Sequence, residues 1–126
     1  MCLNTLDRTP EKTPKYAWKV FVKRDDELVG YHDFYRNNHK TIAYSVGKWI
    51  TSIPILVFTE GAFCHDAYKT GFHCYTTRKA ARNSYICKNS SRGEFSIRKV
   101  KCAGKLLAHG IQYGLPVVVV EKILIP

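Results

Sequence analysis

Apolar and polar residues alternate along most of this chain with the period of a β-strand rather than that of a helix. Over residues 16–23, Trp18, Val20 and Val22 fall on one side and Ala17, Lys19, Phe21 and Lys23 on the other, which predicts a strand with one face in the core. The polar turn Arg24-Asp25-Asp26-Glu27 leads into a second strand over residues 28–35, and so short a connection predicts an antiparallel hairpin. After Asn37-Asn38 a third strand over residues 41–46 completes a meander, whose apolar face needs a covering layer. Gly47-Lys48-Trp49 closes it with an anchoring tryptophan. Residues 53–58 are apolar but contain Pro54, so an edge strand or packed loop is expected, and residues 59–69 read as loop.

The stretch Thr70-Gly71-Phe72-His73-Cys74-Tyr75-Thr76-Thr77-Arg78-Lys79-Ala80-Ala81-Arg82 changes period partway. Phe72, Cys74 and Thr76 point one way and His73, Tyr75 and Thr77 the other, so it begins as a strand. Thr76 or Thr77 can then cap a helix expected from about Arg78 to Ile86, with Ala81 and Tyr85 on its inner face. Asn89-Ser90-Ser91-Arg92-Gly93 reads as a flexible loop. Residues 94–103 predict a strand with a bulge near Lys99, where apolar side chains change faces. Residues 104–114 fit either its continuation or one helical turn. Val117-Val118-Val119-Val120 predicts a strand buried on both faces, the middle of the sheet. Residues 1–15, with Pro10, Pro14 and no period, read as a flexible N-terminal arm ahead of a single domain over residues 16–126. The fold class is therefore expected to be α+β: a strongly bent, mostly antiparallel sheet of six or seven strands packed with one main helix.

Composition and charge change this picture in one place. The 126 residues make one domain, and their 45% apolar and 13% aromatic content excludes disorder throughout. Twenty basic residues against ten acidic ones give +10, and between Thr76 and Lys105 nine basic residues meet one acid, a segment charge of +8. Such a patch attracts polyanions: nucleic acid, a nucleotide or an acidic protein surface. Five cysteines at irregular spacing, with no signal-peptide pattern before them, favour a reduced, cytoplasmic setting. No apolar run is long enough to cross a bilayer, so no membrane partner is expected.

The binding site this predicts is His73, Tyr75, Arg78, Lys79, Arg82, Lys88, Arg92 and Arg98. Rings leave the strand beside cations, with Tyr31 or Tyr35 able to join them across the sheet. The N-terminus of a capped helix with a cationic first turn forms a phosphate cradle. Rings for stacking and cations for phosphate are what single strands and nucleotides require. Cys64-His65 and His73-Cys74 offer zinc ligands, but no close C-x-x-C knuckle exists and strand neighbours face apart, so no metal and no cofactor are expected. The same geometry disfavours a Cys/His nucleophile pair, and no catalytic residue is assigned. His32, His39 and His109 read as ordinary surface or core residues.

Trp18-Lys19-Val20, Val46-Gly47-Lys48-Trp49, Gly71-Phe72-His73 with Ala80-Ala81, and the closing Val120-Glu121-Lys122-Ile123-Leu124-Ile125 resemble small accessory proteins of phages and other mobile elements. That resemblance implies a virus-encoded protein acting inside a host cell, where many such proteins disable host defence. A weaker likeness is to ADP-ribosyltransferase-type folds, in which His73 would contact the nicotinamide nucleotide's ribose and Glu121 would polarise the reacting sugar. Glu121 lacks the acidic or glutamine partner two residues earlier that such a site uses. The expected function is a small basic binding protein rather than an enzyme, engaging a nucleic acid, a nucleotide or a host ribonucleoprotein. The alternatives are an inhibitor docking on an acidic host protein surface and an ADP-ribosyltransferase-like enzyme.

Overall fold

A computed structural model describes residues 3–9, 11–24, 27–30, 43–53, 56–59, 66–84 and 94–126. Its spine is a hairpin of two long strands, β9 (Glu94–Gln112) and β10 (Leu115–Leu124). Tyr113 and Gly114 join them at φ 49° and 79°, the doubly left-handed turn that suits the twist of paired strands. Eight shorter strands precede this hairpin: β1 (Thr5–Asp7), β2 (Tyr16–Arg24), β3 (Glu27–Gly30), β4 (Ala43–Tyr44), β5 (Trp49–Thr51), β6 (Leu56–Phe58), β7 (Ala67–Lys69) and β8 (Phe72–Tyr75). The helix α1 spans Arg78–Arg82. The main sheet runs β1-β9-β10-β8-β2-β3-β4, with β5 beside β8 on the same edge of β10, while β6 and β7 pair apart from it.

The sheet closes on itself. The first half of β9 pairs with β2, from Lys23↔Glu94 to Tyr16↔Lys101, and its second half pairs with β10. On the far side β8 lies along β10 and meets β2 at Trp18↔Tyr75, so β9, β10, β8 and β2 form a ring. Register shifts opposite Val119, Val120 and Lys122 mark the bulges that bend β9. Gly104 sits there at φ 78°, and a Cβ on it would lie 2.6 Å from the Glu121 carboxylate.

The ring strands bury residues on both faces over part of their length. Ala17, Phe21, Phe72, Cys74, Val100, Cys102, Val118 and Val120 fill the inside, extended by Leu28 and Tyr44 from the neighbouring strands. Val20, Tyr75, Ala108, Val117 and Val119 face outward, where Leu3, Tyr68 and the α1 alanines Ala80 and Ala81 cover them. Val117 to Val120 are thus buried on both sides, as their sequence implies, each contributing roughly 1.5–3 kcal/mol relative to exposure.

The expectation of an α+β fold with one main helix is overturned: the molecule is mostly β, with no helix of seven residues or more among the described residues. The helix stops because Asn83 turns back at φ −86° and ψ 4°, its N–H bonding to the Lys79 carbonyl and the Ser84 N–H to that of Ala81, and Ser84 is then fully buried. One turn with two inward alanines cannot be told from a longer helix by periodicity. The predicted inner-face Tyr85, the helix end at Ile86 and the loop over residues 89–93 lie outside the described residues, as do Tyr31 and Tyr35. The meander does form as β2, β3 and β4.

The N-terminal arm is no loose segment. Leu3 is fully buried, β1 pairs with β9 from Thr5↔Ile111 to Asp7↔His109, and Thr13 Oγ1 bonds to the Gly104 carbonyl at 2.8 Å. Gly110 makes this possible, since any side chain there would run into the Thr5 carbonyl. Part of the expected loop over residues 59–69 is the strand β7. Residues 104–112 continue β9 as a strand, and the expected bulge near Lys99 is absent: pairing with β2 is unbroken there.

Candidate nucleic-acid interface

Alternation on β2 and β9 builds a cationic surface from the strands upward. Tyr16 and Trp18 share the outer face of β2, and their ladder partners Lys101 and Lys99 share the outer face of β9. The Lys99 Nζ lies 4.5 Å from the centroid of the Tyr16 ring. From α1, the Arg78 guanidinium lies 5.8 Å from the Trp18 ring. Arg78, Trp18, Lys99, Tyr16 and Lys101 therefore form a continuous strip of alternating cations and rings. Each exposed cation–ring contact contributes roughly 0.5–1 kcal/mol and holds a flexible side chain in place. Tyr16 remains 47% exposed, which leaves ring surface for a ligand. Lys79 and Arg82 extend the strip along exposed α1 positions.

No carboxylate neutralises the strip among the described residues. The ion pairs there are Arg8 with Asp66 and His109 with Asp7 and Glu11, all on the N-terminal arm or against it.

The predicted site residues divide. Arg78, Lys79 and Arg82 stand together on α1, whereas Arg98 is exposed on the opposite face of β9, bonded to Ser96 Oγ at 2.9 Å. Lys88 and Arg92 lie outside the described residues. His73 is half-buried, its Nε2 3.0 Å from the Tyr68 hydroxyl, and its ring meets Tyr68 edge-on. Tyr75 is buried, with its hydroxyl 3.4 Å from Gln112 Oε1, so it offers no stacking face. Both leave β8 on the predicted side, but that side lies under the outer layer rather than in solvent. The phosphate cradle is also withdrawn. Thr77 Oγ1 accepts the Ala80 N–H at 3.1 Å, and a five-residue helix has little dipole to offer an anion. Sequence reasoning missed Tyr16, Trp18, Lys99 and Lys101 as a unit, although period two on two adjacent strands would have assembled them.

A second polar region lies where β1 crosses β9. There an open groove of roughly 600 Å³ is lined by Asp7, Arg8, Glu11, Thr76, His109 and Pro116 among others. His109 Nε2 is 2.7 Å from the Thr9 carbonyl, and its Nδ1 is 3.2 Å from Glu11 and 3.7 Å from Asp7. A carbonyl only accepts, so Nε2 is the donor in that contact, and Nδ1 faces the two carboxylates. Hydrogen bonds from Thr9, its backbone N–H first, hold the Asp7 carboxyl below the usual aspartate range, with His109 adding a smaller pull.

The two residues singled out by the transferase likeness are separately engaged: His73 with Tyr68, and Glu121 against Gly104. Among the described residues no group of three or more His, Cys, Asp or Glu side chains is placed to hold a metal ion, and no helix is long and apolar enough to cross a membrane. No protein family, curated protein or solved structure matches this chain.

Proposed function

We propose that this chain is a nucleic-acid-binding β-protein that holds a single strand along the outer face of β2 and β9. The observation that supports this reading is the strip itself: Lys99 over Tyr16 and Arg78 over Trp18, with no described carboxylate paired to them. Phosphates would meet Arg78, Lys99 and Lys101, and a base would stack on the free part of Tyr16. A duplex suits the strip less well, because its bases are already stacked on each other. In the setting suggested by the likeness to phage accessory proteins, the strand would belong to a host ribonucleoprotein, and its capture would antagonise host defence.

The test is fluorescence anisotropy of a labelled single-stranded oligonucleotide across a salt series. Binding should weaken steeply with salt, and the triple variant R78A/K99A/K101A should bind much more weakly. Its logarithmic salt slope should be shallower by about 2, since each lost phosphate contact removes about 0.7 for a single strand. Salt-independent binding, or unchanged binding by the variant, would reject the strip as the site.

A second reading, docking on a protein partner through an apolar surface instead of the basic one, is favoured by a different feature. Trp49, Ile53, Leu56 and Phe58 are between 50% and 74% exposed within one short stretch of chain. A partner seated there would tolerate salt and be lost on Trp49→Ala, with the triple variant unaffected.

A further inference from the structure

The inner face of β2 carries a cation that the outer strip does not use. Lys19 alternates with the core residues Ala17 and Phe21 and is only 6% exposed. Its Nζ lies 5.9 Å from the centroid of the Phe21 ring and 6.0 Å from that of Phe72, and it donates to the His73 carbonyl at 3.2 Å. An ammonium has three hydrogens, and that carbonyl takes one of them. The ladder sets Arg98 of β9 directly opposite Lys19. Side chains so placed leave the sheet on the same face about 5 Å apart, where two like charges are destabilising. Among the described residues no carboxylate pairs with either. The buried Tyr44 hydroxyl also has no partner there, and its ring packs edge-on against the same Phe21 and Phe72. Polar capacity in this part of the ring therefore exceeds what the described chain satisfies.

We propose that Lys19 and Arg98 hold a phosphate group between them on the inner face of β2 and β9. One oxyanion there accepts from the Lys19 ammonium on its buried side and from the Arg98 guanidinium on its solvent side. Arg98 is already set for this: its Nε donates to Ser96 Oγ at 2.9 Å, which orients the group and leaves the two terminal nitrogens for another acceptor. Lys19 supplies the strength, because attraction between charges is screened least away from water. Exposed Arg98 supplies the way in.

Charge matching selects phosphate. Two facing cations call for two negative charges, and a phosphate monoester carries nearly two at neutral pH, whereas a carboxylate carries one. Free phosphate and the phosphate of an esterified metabolite present the same dianion to the pair. Bound there, either one replaces a repulsion across the ladder with two attractions and gives the buried ammonium its counter-charge. The site lies on the face of β9 opposite Lys99 and Lys101 and uses none of the strip's residues, so it stands whether or not the strip holds a strand.

The test is thermal unfolding in chloride buffer at fixed ionic strength, with inorganic phosphate added in one arm and adenosine monophosphate in another. At about ten times the dissociation constant, the wild-type melting temperature should rise by about 5 °C. Equal rises in the two arms identify free phosphate as sufficient, and a larger rise with adenosine monophosphate identifies a phosphate ester; adenosine itself should give none. R98Q changes an exposed position, so it should fold as wild type does and lose most of the rise. K19M should lose the rise as well. Without phosphate it should melt no lower than wild type, because an apolar side chain of similar length replaces a buried charge that has no counter-charge. R78A/K99A/K101A should keep the whole rise. The proposal is overturned if phosphate leaves the wild type unchanged, if adenosine matches its monophosphate, or if R98Q responds as wild type does. Loss of the rise in the strip variant, or a K19M that melts far below wild type without phosphate, would overturn it too.

Discussion

Along β9 the molecule handles charge in two ways. Near its C-terminal end His109 sits between Glu11, Asp7 and the Thr9 carbonyl, and Arg8 nearby pairs with Asp66. Nearer its middle, Lys99 and Lys101 face rings, and the helix adds Arg78 over Trp18 with no described acid opposite. In the first region each charge has its counterpart within the chain, and the effect is to hold the N-terminal arm on the sheet. In the second, cations are positioned by aromatic rings and left without counter-charge. Charge paired inside the chain contributes to structure, and charge held in place but unpaired is free to meet a ligand.

Substitutions in the two regions should therefore separate stability from binding. The largest effect is expected from Gly110→Ala, whose new methyl group meets the Thr5 carbonyl across β1 and β9. Overpacking of this kind costs on the order of 1–3 kcal/mol. Thermal unfolding should fall and trypsin should cut sooner at Arg8 and Lys12, while oligonucleotide affinity at low temperature stays as in wild type. Lys99→Glu should do the reverse: affinity falls roughly tenfold by loss of a phosphate contact and added repulsion. Unfolding should shift by less than about 0.5 kcal/mol, as is usual for an exposed site. If Lys99→Glu destabilised the fold as strongly as Gly110→Ala, the division between the regions would collapse.

The smallest expected effect is that of Asp7→Asn, and its pH dependence carries the information. The Asp7 carboxyl is more acidic folded than unfolded, so its ionised form contributes stability above the unfolded pKa, and that contribution is lost as pH falls through the folded value. The variant should melt slightly below wild type at neutral pH, and the two curves should converge in acid below the ordinary aspartate range. A gap that persists there would mean that Asp7 acts by packing rather than charge.

How much of this was legible in the sequence depended on how many residues carried each signal. Four consecutive valines identify β10 as the middle of the sheet, and eight alternating residues identify β2. Three-residue β1 has no length in which to show a period, and Leu3 and Leu6 alone look like chance. The helix was overestimated because Ala81 and Tyr85 match a helical spacing that one turn already satisfies. The apolar residues of β9 change faces near Lys99 without a bulge, Val100 and Cys102 pointing inward, because the strand is covered on different sides along its length. Phe95 and Ile97 on the outer face pack with the cluster beneath α1, and the same face reaches solvent at Lys99 and Lys101. Alternation reports which side a residue takes, and not what lies on that side. The same limit explains Tyr75, correctly assigned to the outer side and then covered.

The closed ring has a consequence for how the chain reaches its native state. Its strands come from distant parts of the sequence: Tyr16 waits for Lys101, and Thr5 for Ile111. On a ribosome β2 emerges long before either long strand exists, so its apolar residues spend that interval without their final neighbours. Such non-local pairing places folding in the slow, millisecond-to-second regime, and makes nascent chains that stall before β9 the ones most exposed to aggregation and to chaperones.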